Sequence, residues 1–462
     1  MVFDPMSQAG RDAVSPAELA EAVNNLSRTA VLVVGDAMVD RYIFGTVSRV
    51  SPEAPVPVLN IDREVALPGG AGNVVRNLTA LGAAVAFVSL VGDDAAGSDL
   101  TGLIGGQLRV EPWLLVQGGR TTTTKTRFLA GGQHMLRADR EEAQPIHPRL
   151  ADRLIKIATD AVAATSTVVL SDYGKGVLAG DIPARLIAAA RAAGRRVVVD
   201  PKGGDHSRFA GADLIMPEPA ELAGETGMAV NDETSAAIAA SILSRKHGFG
   251  AVLVPRVPDG LTLLQVEPDG SETVRHFRAE ASEVHDPAGG GDAVVAAVAA
   301  GLASGLSLAG CARLAALSLG IVSRKSGIAV VRTDELLEGL TPGRGAARKL
   351  VSLPLAVEVI ERWRHRGWRI GFLPANGSPC PETITQEARR WCDRLLVGVE
   401  GESIWAGEMA ERPEVDLVAV GAGAGHEDTL RLLRPDVVMA ADADPRLTAL
   451  LSEWGGQVKL PG

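Results

Sequence analysis

Aromatic side chains are scarce in this 462-residue chain: two tyrosines, six tryptophans and eight phenylalanines make up 3% of it. Alanine, glycine, valine and leucine must therefore fill the core. Cysteine is scarcer still. Cys311, Cys380 and Cys392 show no pairing pattern and no metal-ligand spacing, which argues against a disulfide framework and predicts a reducing compartment. A basic excess is also missing. The formal charge is −10, whereas general nucleic-acid and anionic-membrane binders usually show a basic surface. A local basic pocket for a phosphorylated small molecule stays open. The opening residues, MVFDPMSQAGRDAVSPAELAEAV, lack a basic region followed by an apolar stretch. No secretion signal and a cytoplasmic location are expected. One uncharged run, Ala293 to Ala312, has membrane length, but Gly301, Ser304, Gly305 and Ser307 interrupt it, predicting two buried helices joined by a turn.

The apolar fraction of 46% and charged fraction of 22% fit a globular protein, and the length predicts a large domain and a smaller one. Ser15, Pro16 and Glu18 supply a cap, a first helical residue and a capping-box acid for an early helix. TAVLVVGDAMVD, AVAFVSLVG, STVVLSDYG, RRVVVDPKG, ADLIMPEPAE and FGAVLVPR then read as strands with alanine-rich helical stretches between several of them. That alternation predicts a parallel sheet covered by helices on both faces. Residues 41 to 60 and 121 to 139 are polar, β-branched and proline-containing, and read as exposed antiparallel ribbons forming a lid. Pro, Gly and basic residues cluster over 338 to 353, after which a smaller alternation restarts in WRIGFLPANG, CDRLLVGVEG, VDLVAVGAG and RPDVVMAADA. The expected domains are 1–340 and 354–462.

The stretch VHDPAGGGDAVVAAVAAGLASG carries the sharpest chemical signal. A glycine run that opens a helix exposes backbone N–H groups at the positive end of the dipole, where an anion belongs. Gly289, Gly290 and Gly291 would cradle a phosphate, and Asp292 would take a proton from an attacking hydroxyl. The plainer reading makes Asp292 a helix cap. A second motif, PGGAGNVVRNLTALGA, also leads into a helix, with Gly69 and Gly70 admitting a sugar and Asn73 bonding its hydroxyls. As a dinucleotide fingerprint it fails, because Val75 occupies the third glycine position.

Together GDAMVD, PGGAGNV, LSDYGKG, DPKG and DPAGGGD resemble, in their order, the PfkB/ribokinase family of sugar kinases over residues 30 to 335. SRVSPEAPVPV and TTTKTRFLAGGQHMLRAD are similar to its heptose 7-phosphate kinase branch. The following domain resembles the nucleotidyltransferase half of the bifunctional heptose 7-phosphate kinase/heptose 1-phosphate adenylyltransferase layout. The resemblance implies a ribokinase-like doubly wound α/β fold with a β lid, then a smaller Rossmann-like domain. It implies transfer of phosphate from MgATP to the anomeric hydroxyl of D-glycero-D-manno-heptose 7-phosphate. Asp292 would be the base, and Asp36 or Asp40, with Gly69, Gly70 and Asn73, would hold the sugar. Lys125, Arg127, Lys175 and Lys202 are the candidates for the 7-phosphate. Glu218, Glu221, Arg256 and Gly260 would face the nucleotide, Glu221 also serving magnesium.

The chain departs from the family pattern at Glu218, where an asparagine is usual, and at Pro287, Ala288, Ala293, Pro255 and Ala316. In the second domain the HxGH-type motif is replaced by Ser378-Pro379-Cys380-Pro381, so a degenerate domain is expected. VGAGAGHED reads as a turn. A catalytically inactive pseudokinase scaffold and a kinase for another sugar phosphate remain alternative readings. Exposed lid edges predict a homodimer, with no nucleic-acid or membrane partner.

Overall fold

Strand β1 (Ala30–Gly35) reads AVLVVG and is buried from Val31 onward. A strand so apolar needs cover on both faces, which parallel crossover connections provide. The computed structural model describes residues 14–131, 133–203, 205–257, 259–278, 289–325, 329–340, 349–365, 367–375, 381–400, 404–421, 427–440 and 444–460. It divides into two units, Met1–Leu336 and Leu337–Gly462.

In the first unit β1 pairs in parallel with β4 (Ala84–Gly92) on one side and β8 (Thr167–Ser171) on the other. Beyond β4 lies β5 (Val110–Gln117); beyond β8 come β9 (Arg196–Asp200), β10 (Leu214–Ile215) and β11 (Ala251–Arg256). Two antiparallel strands, β12 (Gly260–Val266) and β13 (Glu272–Arg278), close that edge. Leu32 and Val34 of β1 share one core with Leu154 of helix α4 (Pro148–Val162) and Leu186 of α5 (Ile182–Ala192). Val31 and Val33 alternate to the opposite face, where α2 (Ala71–Ala80) and α8 (Gly290–Ala303) pack against the sheet.

Helix α8 is buried around almost its whole circumference, which its alanine and valine side chains permit. It is followed by α9 (Leu308–Ser323), so the uncharged run forms two helices. Among the described residues no helix is long and apolar enough to cross a membrane. Helix α1 (Pro16–Asn25) starts at the expected capping box of Ser15 and Glu18.

The two polar ribbons form a four-stranded sheet in the order β3-β2-β6-β7. Its strands are β2 (Ala37–Val50), β3 (Pro57–Gly70), β6 (Thr124–Ala130) and β7 (Gln133–Arg140). The outer pairs are antiparallel as expected, but β2 and β6 run parallel at the centre.

The second unit has a six-stranded parallel sheet, order β14-β17-β16-β15-β18-β19. Four strands match the predicted runs: β15 (Ile370–Ala375), β16 (Arg394–Val399), β17 (Leu417–Val420) and β18 (Val437–Met439). Strands β14 (Leu350–Ser352) and β19 (Gln457–Lys459) add the edges; each has three residues, too short for a visible apolar pattern. Phe372 and Leu396 face one core, Leu373 and Leu395 the other, so both faces are covered. Ser378, Pro379, Cys380 and residues 422–426 lie outside the described residues, as do Pro287 and Ala288.

Candidate active site

From β1 the chain builds the sheet outward through β4 and β5, then returns to β8 and builds the other way. Loops leaving the carboxyl ends of β1 and β8 therefore diverge, opening the crevice where doubly wound sheets bind ligands. Asp36 follows β1, Asp172 follows β8 and Asp200 ends β9, and all three are buried. Asp36 accepts backbone N–H bonds from Tyr173 at 2.9 Å, Lys175 at 3.0 Å and Val177 at 3.0 Å. Its carboxylate is thus committed to shaping the loop after β8. Asp172 pairs with Arg208, and burial together with Asp36 pushes its carboxyl up to about 6.

Asp292 lies in the first turn of α8, yet it does not cap that helix. Gly289 occupies the cap position with φ 80°, and no side chain caps the helix there. The Asp292 carboxylate instead accepts the Tyr173 hydroxyl at 2.5 Å and the Asn73 amide at 2.6 Å. It is 8% exposed, and burial pushes it up to about 6 against the opposing effect of those two bonds. Among the described residues, a side chain at Gly291 would meet nothing within 4 Å. At Gly290 it would approach Leu319 to 3.2 Å.

Asn73 is fully buried, and its orientation is locked from within α2. Arg76 donates to its Oδ1 at 2.9 Å, so the NH₂ group must point to Asp292, and Asn77 donates to its backbone carbonyl. Asp40, on the other side, is ion-paired with Arg127 of the lid. A Cβ at Gly69 would lie 1.9 Å from Asp40 Oδ2, and one at Gly70 would lie 2.6 Å from the Asp36 carbonyl. The two glycines make room for Asp40 and β2 themselves. Of the two candidate aspartates, Asp40 is the one not consumed by backbone N–H groups.

The four candidate phosphate cations separate. Arg127 meets Asp40, while Lys125 stands in register with Asp139 on the lid. Lys175 binds Glu141 at 2.9 Å. Lys202 reaches instead to helix α6 (Pro219–Thr226), bonding Glu218 at 2.6 Å and lying 3.7 Å from Glu221. Its Nζ also stands 5.8 Å from the Tyr173 ring centre. Burial pulls the Lys202 ammonium down, but Asp200 and Glu218 outweigh it and the net shift is upward. Burial raises the Glu221 carboxyl.

Arg256 and Gly260 face each other across the turn between β11 and β12. Arg256 donates to Thr262 at 2.8 Å and Glu233 at 3.2 Å, and a Cβ at Gly260 would strike the Phe277 carbonyl at 2.0 Å.

The sequence pattern of the pfkB family carbohydrate kinase matches residues 28–333, the span that contains every group just described. The chain belongs to this family. It is 50% identical over 468 residues to the bifunctional protein HldE of Acidiphilium cryptum, covering 96% of this chain and 95% of that one. The bifunctional protein HldE of Paramagnetospirillum magneticum is 44% identical, covering 96% and 95%. Among solved structures, Arabidopsis thaliana ribokinase complexed with ribose and ATP superposes with TM-score 0.52 at 21% identity, covering 68% of this chain and 99% of that one. The tetrameric inhibited form of Escherichia coli phosphofructokinase-2 gives 0.54 at 18% identity, covering 68% and 98%.

Within this pfkB carbohydrate kinase, two groups around Asp292 were missed by sequence reasoning. Tyr173 stands in LSDYGKG and is one of only two tyrosines in the chain, and Arg76 stands three residues beyond Asn73. Their rarity and spacing are visible signals, but their contacts with Asp292 and Asn73 are not. Ala293 and Ala316 are buried, and neither offers a side-chain hydrogen bond.

Proposed function

We propose that this kinase transfers the terminal phosphate of ATP to the anomeric hydroxyl of D-glycero-D-manno-heptose 7-phosphate, giving the 1,7-bisphosphate for ADP-heptose and lipopolysaccharide-core synthesis in the cytoplasm. The observation that carries this reading is Asp292, buried at the glycine-led start of α8 and bonded by side chains from two other elements. Similarity to the HldE proteins, with the lid wording of the sequence, supports the heptose substrate.

Asp292 takes the proton of the anomeric hydroxyl, whose oxygen attacks the terminal phosphorus. The bond to the bridging oxygen breaks, and ADP leaves with that electron pair. The N–H groups at Gly289 to Gly291 face the transferring group. Lys202, tethered by Glu218, supplies a cation between the nucleotide side and the base. Arg127 and Lys125, with Arg76 behind them, serve the sugar phosphate. Glu221 suits magnesium: hard cations take carboxylate oxygens, and Mg²⁺ keeps waters and phosphate ligands beside one or two carboxylates.

Residues 1–340 form the kinase domain on this reading, and 354–462 a nucleotidyltransferase-like domain without adenylyl transfer, since Ser378-Pro379-Cys380-Pro381 lacks paired histidines. The chain works as a homodimer through its lid, whose Val47, Val50, Ile61 and Leu136 are exposed. Phosphorus NMR with MgATP and heptose 7-phosphate tests the reaction. A sugar 1,7-bisphosphate should form with the wild type and not with Asp292→Asn; absence from both would overturn the heptose 7-phosphate reading.

A further inference from the structure

An acceptor hydroxyl can give its proton to Asp292 only by first donating a hydrogen bond to that carboxylate. Each of its oxygens already accepts one bond, Oδ1 from Tyr173 at 2.5 Å and Oδ2 from Asn73 at 2.6 Å; each could accept a second, but little of the carboxylate's surface is exposed and little room is left for one. The two donors differ in freedom. Asn73 is fully buried inside α2 and pinned by Arg76 and Asn77. Tyr173 is half-buried, on the turn that leaves β8, followed by Gly174 with φ 67° and Gly176 with φ 101°. Asp36 holds its backbone N–H, so its ring can leave the base by side-chain rotation while the loop stays in place.

We propose that the Tyr173 hydroxyl is a stand-in for the acceptor hydroxyl: it bonds Asp292 Oδ1 until the sugar binds, and is then displaced. The inference rests on Asp292 being the base. Tyr173 is then a positioning residue for the free enzyme. It holds the carboxylate in one rotamer and favours its ionised form, and it competes with the substrate for the same oxygen. Burial and the charge of Asp292 push its phenol up, so it stays a donor across the working pH range. The other charged groups acting on Asp292 are Asp40 from β2, Arg76 from α2, and Asp200 and Lys202 from the end of β9.

The test is the pH dependence of kcat and kcat/KM for the wild type and Tyr173→Phe, with Asp292→Asn as control. The phenylalanine variant should lower the sugar KM by about fivefold, the worth of one displaced hydrogen bond, with kcat nearly unchanged. Its acid limb in kcat/KM, which reports the free enzyme, should move to higher pH, because a bond favouring the carboxylate is gone. The limb in kcat, which reports the complex, should stay. A fall in kcat at constant KM would mean that the hydroxyl remains on the base through turnover, and unchanged pH limbs would mean that Tyr173 only packs; either overturns the proposal. Turnover by Asp292→Asn near the wild-type rate would defeat the base assignment itself. Should the phenylalanine variant not fold, wild-type protein with ring-labelled tyrosine gives an independent reading, since only Tyr42 and Tyr173 contribute. Sugar phosphate without nucleotide should move the Tyr173 carbon signal, assigned with Tyr42→Phe, and a signal that stays in place rejects displacement.

Discussion

A carboxylate kept from water resists ionisation, and at Asp292, with the role proposed for it as base, that resistance should act on both rate and stability. Activity should fall as pH drops through about 6, where the base becomes protonated. Asp292→Asn should cost about 10³-fold in turnover, within the usual range for a general base. The same substitution should stabilise the fold. Burial holds the folded carboxyl up at about 6 against an ordinary aspartate value of 3.8, so its contribution is fully present below 3.8 and is lost as pH rises through about 6. Removing the charge should therefore add about 3 kcal/mol at about pH 7.5 and little below about pH 4, as thermal melts at both pH values would reveal. Gly69→Ala tests the sugar side. Its Cβ would lie 1.9 Å from Asp40 Oδ2, so the carboxylate must move. Sugar KM should rise about tenfold, with about 1–3 kcal/mol lost from stability; unchanged kinetics would remove Asp40 from the sugar site.

At the scale of elements, two loops do the positioning. The turn after β8 is organised by one buried side chain, Asp36, through three backbone N–H groups. Asp36→Asn replaces one acceptor oxygen with a donor, leaving amides unpaired, and should cost about 2–4 kcal/mol in denaturant unfolding. The loop after β9 carries Lys202 to Glu218 and the Tyr173 ring. Lys202→Met should lower kcat by about 10²-fold while sugar KM stays within about twofold, as expected of a cation that acts on the transferring phosphate. A rise confined to sugar KM would return Lys202 to the sugar-phosphate role. Arg256, at the end of β11, spends its guanidinium on Thr262 of β12 and on Glu233.

For the whole molecule, light scattering at micromolar concentration should give the mass of two chains, and a monomer would discard the lid interface. The alternation of strands and helices was legible because buried parallel strands must be apolar along their length, as AVLVVG, VVVD and AVLVPR are. Less was legible where pairing is non-local. Nothing in the polar ribbons indicates that β2 and β6 run parallel, and the short edge strands β14 and β19 leave too few residues for a pattern. Glycine motifs marked both halves of the site, but the amide of Asn73 reaches a carboxylate 219 positions away.

What the sequence by itself determined is the class of fold, the two-part organisation and the glycine-led helix with its aspartate. Those follow from periodicity, helix-end chemistry and composition, all local properties of the chain. Which groups surround Asp292 was decided only by tertiary structure. Tyr173, Asn73 and Arg76 meet it because the sheet reverses direction between β1 and β8 and brings α2 and α8 together above that reversal. The same packing excludes water from the carboxylate, and that exclusion moves its titration into the range where a base is useful.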